Sequence, residues 1–250
     1  SDLLKVEDIV TVARSGGFRA RLRQVEATNT RFKGIRTIVV DDAYLESNRF
    51  ELSHYDASYG TTDAQVWQSL SDSTNLVLLS NRAIATEDPF GPPSSGFRVE
   101  GFSASDDAES WESVSLEVVL PSWDGQETPL VMEAVGVVDP LAGIGGGDDW
   151  GGQSLFMVIG ESTAQNLVGQ IPEWNTYYLD VNTRADVPDV VAKLETIFLQ
   201  FGMDATDLQE QIEMSLQQEA AFNQLFQGFM GLGLFVGVCA IGVLAIRAVV

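Results

Sequence analysis

Apolar and polar positions alternate along several short runs of this chain and recur at helical spacing along others. KVEDIVTVA at 5–13 and FRARLRQ at 18–24 predict two short strands, and the β-branched run IRTIVVD at 35–41 predicts a central one. In TDAQVWQSL at 62–70, Asp63 stands near the start and Val66, Trp67 and Leu70 share one helical face, so a short helix is expected before a buried strand at 76–79. That order suggests a small α/β unit. DPFGPPSSG at 88–96 is a turn-rich break. Beyond it Val114, Leu116, Val118 and Leu120 alternate with polar residues, the loop PSWDGQETP follows, and 130–138 gives a second strand, together a long hairpin. GIGGGDDWGG at 143–152 predicts a loop, 155–159 a strand, 162–168 a helix and 177–181 a strand.

A clearer helix opens at Pro188. Val190, Val191, Leu194, Ile197, Phe198 and Phe201 line one face, with proline in the first turn and Gly202 past the last. Asp207 begins another helix, with Leu208, Ile212 and Leu216 on its apolar side and Glu210, Glu213 and Glu219 solvated. No breaker follows. Unbroken to Val250, it would be roughly 66 Å long at about 1.5 Å per residue. Its last stretch, AAFNQLFQGFMGLGLFVGVCAIGVLAI at 220–246, carries no charge. About 20 apolar residues cross the roughly 30 Å hydrocarbon layer of a bilayer. The expected organisation is therefore 1–88 as the first part of an α/β subdomain, 89–153 as a strand-rich insert, 154–206 as the return to the first subdomain, and 207–250 as stalk and transmembrane helix. The fold class is mixed α/β (α+β), closing into a stalk helix continuous with the span. The chain starts at Ser1 with no signal peptide or initiator methionine and is expected to be a fragment or a processed chain.

Charge adds the environment. Thirty-six acidic residues face 14 basic ones, a formal charge of −22, and only three of the basic residues are lysine. Self-repulsion of this size destabilises a compact state unless salt screens it, so a halophilic source is expected. Nucleic acid is excluded as a partner by like charge. Acidic residues crowd the N-terminal side of the span and Arg247 closes its other end, which by the positive-inside rule puts the C-terminus in the cytoplasm and residues 1–220 outside. Residues 1–40 run against the trend with eight basic and four acidic groups. Arg19, Arg21 and Arg23 share one strand face. An anion-binding patch and a solvated face pairing with nearby carboxylates both fit, the second more simply.

Sites of chemistry are scarce. Gly143 to Gly152 lacks the GK[ST] of a phosphate cradle. Asp148 with Asp149, and Asp106 and Asp107 with Glu109, fit solvated loops better than cation sites. His54 is the only histidine, no GxSxG is present, and a surface or turn position fits it better than a base. Asp41 and Asp42 suit a helix cap better than a ligand site at a sheet edge. With one cysteine, Cys239, neither a disulfide nor a cysteine metal site is available. Trp67, Trp111, Trp123, Trp150 and Trp174 serve equally as core anchors or contacts. No catalytic, cofactor or metal residue is expected. In the span, Gly228, Gly231, Gly233, Gly237 and Gly242 allow close approach of other transmembrane helices, and Gly233 with Gly237 forms a GxxxG.

The run Phe222-Asn-Gln-Leu225-Phe-Gln-Gly228-Phe-Met-Gly231-Leu-Gly233-Leu-Phe-Val-Gly237, continued by Gly242-Val and Arg247-Ala-Val-Val250, resembles the second transmembrane helix of haloarchaeal FtsX-like (MacB-type) ABC transporter permeases. The resemblance implies an α/β outer domain between the first two spans and a permease subunit without an active site. It also implies a separate cytoplasmic ABC ATPase whose movements reach the outer domain through the spans, in a homo- or heterodimer of permeases. Export, lipoprotein extraction and control of wall hydrolases all fall within the family. Two readings stand beside it, a single-pass anchored surface or filament protein and, less well supported, an anchored hydrolase.

Overall fold

The structure is a computed structural model and describes residues 8–84, 97–102, 111–121, 128–139, 155–170, 173–199, 202–210, 213, 214, 217, 223–231 and 233. It divides into two units, Ser1–Val190 and Val191–Val250. In the first, β1 (Ile9–Gln24), β2 (Lys33–Val40), α1 (Asp42–Ser47), β3 (Leu52–Tyr55), α2 (Asp63–Asp72) and β4 (Leu76–Ser80) are followed by β5 (Val114–Val119), β6 (Leu130–Val138), β7 (Phe156–Gly160), α3 (Glu161–Val168) and β8 (Trp174–Val181).

The eight strands among the described residues belong to one mixed sheet, ordered β2-β7-β4-β6-β5-β1-β8, with β3 added beside β6. Pairing of β1 with β2 closes six of them into a hydrogen-bonded circuit. β7 runs parallel to β2 and antiparallel to β4, while β4 runs parallel to β6. The hairpin expected over 114–138 is β5 and β6, antiparallel from Val114 opposite Ala134 to Val118 opposite Leu130.

β4 and β7, in the middle of this circuit, are apolar on both faces, because each face meets protein. Val77 and Leu79 of β4 enter one core cluster with Met157 and Ile159 of β7 and Trp111. Leu76 and Leu78 enter another with Phe156 and Val158, which α1 and α2 close through Tyr44, Leu45, Val66, Trp67 and Leu70. Trp67 and Trp111 are both core anchors. Each places its indole N–H on a backbone carbonyl, Phe50 at 3.0 Å and Ala134 at 3.2 Å, so the large apolar surface is buried without an orphaned donor.

The expected helix over 62–70 is α2, started by the Thr62 side chain accepting from the Gln65 N–H. α3 ends on Gly169 at φ 76°, the left-handed position glycine takes without strain. β3 lies where no element was expected, and α1 follows the helix cap expected at Asp41 and Asp42. β8 begins at Trp174, three residues before the expected 177.

The two strands expected at 5–13 and 18–24 are one, the 16-residue β1. Gly16 and Gly17, in its middle, do not break it. A Cβ on Gly16 would stand 2.5 Å from the Glu173 carbonyl oxygen, and one on Gly17 would stand 2.7 Å from that of Thr37. The glycines let neighbouring backbones approach from either side.

α4 (Val187–Phe198) carries Pro188 in its first turn. Gly202, at φ 71°, follows its end, and the Met203 N–H reaches back to the Phe198 carbonyl. Val190 and Leu194 of its expected apolar face are buried, whereas Ile197 is 50% exposed. In the second unit the Asp207 carboxylate accepts from the Gln209 and Glu210 N–H groups, an N-cap where a helix start was expected. Residues 208–210, 213, 214, 217, 223–231 and 233 are helical. The loops expected at 88–96 and 143–152, and most of 220–246, lie outside the described residues. Among the described residues no helix is long and apolar enough to cross a membrane.

Candidate functional site

β1 forks. Along one side it pairs with β2 from Ser15 to Leu22. Along the other it pairs with β8 from Ile9 to Gly16 and with β5 from Arg21 to Gln24. Between these partners, residues 17–20 of β1 pair, among the described residues, with β2 alone. A groove of about 290 Å³ opens at this fork, lined by Ser15 to Arg19 of β1, Arg36 and Ile38 of β2, and Asn175, Thr176 and Tyr178 of β8.

Strand alternation decides which side chains meet there. Ala20 and Leu22 point into the first core cluster, so Arg19, Arg21 and Arg23 lie on the opposite face, as the spacing predicts. Their surroundings differ. Arg23 pairs with Glu117 at 2.5 Å, donates to the Thr30 carbonyl at 3.2 Å and lies over the Phe32 ring. That is the carboxylate-paired reading. Arg19 instead stands directly opposite Arg36 in the β1–β2 register, and both line the groove. Arg36 was not among the expected site residues. Its alternation with buried Ile35 and Thr37 in β2 is visible in the sequence, but the register that sets it against Arg19 is not.

The groove's inner end is held rigidly. Asp41, 3% exposed, accepts from the Arg14 Nε at 2.7 Å, from the Arg14 backbone N–H at 3.0 Å and from the Tyr44 N–H at 3.0 Å. It both caps α1 and ties that helix to β1, which supports the cap reading. Asp42 accepts from the Ser71 hydroxyl at 2.5 Å and so links α1 to α2. Arg14 also stacks over Trp174 at 4.9 Å from the ring centre. The Ser15 and Tyr178 hydroxyls lie 3.2 Å apart, and Tyr178 meets Tyr44 edge-on. Burial pushes the Tyr44 phenol well up from its ordinary value, and Tyr178 adds to this. Burial also raises the Tyr178 phenol, against the opposing pull of its Ser15 hydrogen bond and the Arg36 charge. Both phenols therefore stay neutral at physiological pH.

His54 is not a surface or turn residue. It is 7% exposed on β3, edge-on to Phe102 at 5.0 Å, and Phe102 in turn meets Trp111. Its neighbours make it a core residue, a role for which a lone histidine gives no period-based signal. Asp106, Asp107, Glu109, Asp148, Asp149, Trp123, Trp150, Cys239, Gly237, Gly242 and Arg247 lie outside the described residues. Gly228, Gly231 and Gly233 are helical, with open space where a Cβ would stand. Around the first two, Leu225, Phe226, Phe229 and Met230 are 59 to 67% exposed. Among the described residues no three His, Cys, Asp or Glu side chains converge as metal ligands would.

No family model matches the chain, and no curated protein matches it. Among the solved structures to which the chain is similar are two outer domains of transporters. The extracellular domain of the noncanonic ABC-type transporter YknZ from Gram-positive bacteria is 9% identical, with a TM-score of 0.44 over 81% of this chain and 82% of that one. The periplasmic region of MacB from Actinobacillus actinomycetemcomitans is 13% identical, with a TM-score of 0.44 over 86% of this chain and 79% of that one. Likeness at this level concerns fold alone and extends to no activity.

Proposed function

We propose that the chain is the outer domain and following transmembrane helix of an FtsX-like ABC transporter permease. The observation that carries this reading is the helical stretch 223–231. Four large apolar side chains there are more than half exposed, and they stand at the head of a segment that stays free of charge to Ile246. Large apolar side chains exposed on a helix without charge suit lipid or neighbouring spans. The sheet domain before it carries the acidic surface. In this arrangement residues 1–220 lie outside the cell in a salty medium and Arg247 anchors the cytoplasmic end. Gly228, Gly231, Gly233, Gly237 and Gly242 pack against other spans of a permease dimer. Residues 89–153 form the inserted part of a two-part outer domain.

ATP hydrolysis belongs to a separate cytoplasmic subunit. Its nucleotide-driven shift between discrete states passes to the outer domain along the helix from Asp207. The permease itself is not an enzyme in this reading. Affinity purification of the whole gene product in mild detergent tests it. Recovery of an ABC ATPase with a multi-span polypeptide is the expected result. A gene product with this span alone and no ATPase would leave a single-pass surface protein instead.

A further inference from the structure

The circuit of strands leaves two open edges among the described residues, β3 and β8, each with one neighbour. An open edge offers backbone groups to any second strand, and proteins blunt it with short strands, bulges, lysine or proline. β3 is blunted, because it is four residues long and its register shifts between Leu52 and His54. β8 is eight residues long, WNTYYLDV, with neither lysine nor proline and with Asp180 as its one charged residue. Asn175, Thr176 and Tyr177 are exposed in succession, Tyr177 to 39%. Successive side chains of a strand point to opposite faces, so solvent reaches both faces of β8 there.

Alternation settles which backbone groups look outward. The Asn182 N–H donates to the Asp8 carbonyl at 3.1 Å, next to the pair of Ile9 with Val181. The groups of Asn182, and by alternation those of Asp180, Tyr178 and Thr176, therefore face β1, and those of Val181, Leu179 and Tyr177 face away from it. On β8 the one interruption of this order is the bulge at Asn175, between the pairs Ser15 with Thr176 and Gly16 with Trp174.

We propose that β8 pairs antiparallel with β8 of a second copy of this chain, about a two-fold axis through Tyr178. Two-fold pairing sets outward groups against outward groups, so Tyr177 exchanges both hydrogen bonds with the partner's Leu179, and Leu179 with the partner's Tyr177. Thr176 then stands opposite the partner's Asp180, a hydroxyl donor against a carboxylate. Four residues at roughly 3.3 Å each keep the two Asp180 carboxylates about 13 Å apart along the pair. Centring the axis on Leu179 would set Asp180 against a tyrosine ring, and centring it on Asp180 would set that residue against itself. With a formal charge of −22 on each chain, two copies repel elsewhere, so a strip with one charge in eight residues is where they approach with least repulsion. The pairing rests on the first unit alone and not on the permease reading.

Oxidative cross-linking of the full chain, in neutral detergent and molar salt where the Debye length is about 3 Å, tests this register. In a Cys239→Ser background, Thr176→Cys combined with Asp180→Cys should give a disulfide-linked dimer under mild oxidation. Non-hydrogen-bonded antiparallel pairs place Cα atoms about 4.5 Å apart, within disulfide reach, whereas the two positions within one chain lie about 13 Å apart and out of reach. Each single variant alone should therefore give less than about a tenth of that yield, and a mixture of the two single variants should recover the link. Both positions are exposed, and circular dichroism matching the parent shows that a variant is folded. Where the double variant does not fold, the mixture of single variants serves in its place. Absence of the linked dimer overturns the proposal. So does an equal yield from the single variants, which marks random collision. Recovery or absence of an ATPase has no bearing on this result.

Discussion

The sheet unit and the terminal helix are both rich in apolar residues, yet they dispose of them in opposite ways. In the circuit of strands, Leu76 to Leu79, Val158 and Ile159 are at most 5% exposed, with protein on both faces. In the helix at 223–231, Leu225, Phe226, Phe229 and Met230 are 59 to 67% exposed. Water is an adequate solvent for the first unit because its apolar area has already left water. For the second, the surface left bare asks for a different solvent, and hydrocarbon or neighbouring spans supply it. The contrast teaches that apolar composition alone does not separate a core from a membrane element. What separates them is the length of the uninterrupted run, four residues at Leu76 to Leu79 against a charge-free stretch from 220 to 246.

The sharpest way to break this comparison is to delete one large side chain from each unit. Trp67→Ala removes a side chain with no exposed surface and its bond to the Phe50 carbonyl, and should cost the sheet unit about 3 to 5 kcal/mol in denaturant unfolding. Phe229→Ala, in detergent, should leave that unfolding within about 0.5 kcal/mol. Equal losses at the two positions would mean that the helix at 223–231 belongs to the sheet unit's core.

Next in size is Asp41→Ala. It strips the cap from α1 and leaves the Arg14 Nε and two backbone N–H groups without their acceptor. Unfolding free energy should fall by about 3 kcal/mol, whereas Asp42→Ala, with one exposed hydroxyl bond, should cost under about 1 kcal/mol. Gly16→Ala follows, at about 1 to 3 kcal/mol, because the new Cβ meets a backbone oxygen at 2.5 Å that cannot swing aside. A neutral result there would contradict the close packing of β8 on β1.

The smallest effect is electrostatic. Partial burial pushes the Asp56 carboxyl up, but hydrogen bonds from Ser58 and Ser113 outweigh it and hold the group below its ordinary 3.8. A carboxyl depressed on folding adds stability that is present above its unfolded value and lost as pH falls through the folded one. Asp56→Asn should therefore lower the melting temperature most above about pH 4 and converge on the parent as pH falls below it, read by thermal scans at both ends of the range.

Much of the sheet was legible because its signals are local. Alternation gave β5 and β6, a continuous apolar run gave β4, and a cap with helical spacing gave α2. What was misread depended on neighbours. Gly16 and Gly17 look like a break until Glu173 and Thr37 are seen against them. β3 is four residues long and buries a histidine, so it lacks an apolar pattern. α1 is six residues, shorter than any period can establish. The arginine face of β1 was legible as a face, but not its division. Arg23 finds Glu117 and Arg19 finds Arg36 through pairings 94 and 17 positions apart, and no loop between them is a two-residue turn that would fix the register.

Cys239 offers the most direct test of the central claim, since it is the only cysteine and lies inside the charge-free segment. In intact cells a membrane-impermeant maleimide should leave Cys239 unlabelled until the sample is dissolved in denaturing detergent. In a Cys239→Ser background, Ala57→Cys, at an exposed position of the sheet unit, should label from outside, and Ala248→Cys only after permeabilisation. Labelling of Cys239 in intact cells, or of Ala57→Cys only after permeabilisation, would contradict a membrane helix that carries the sheet unit on its outer side.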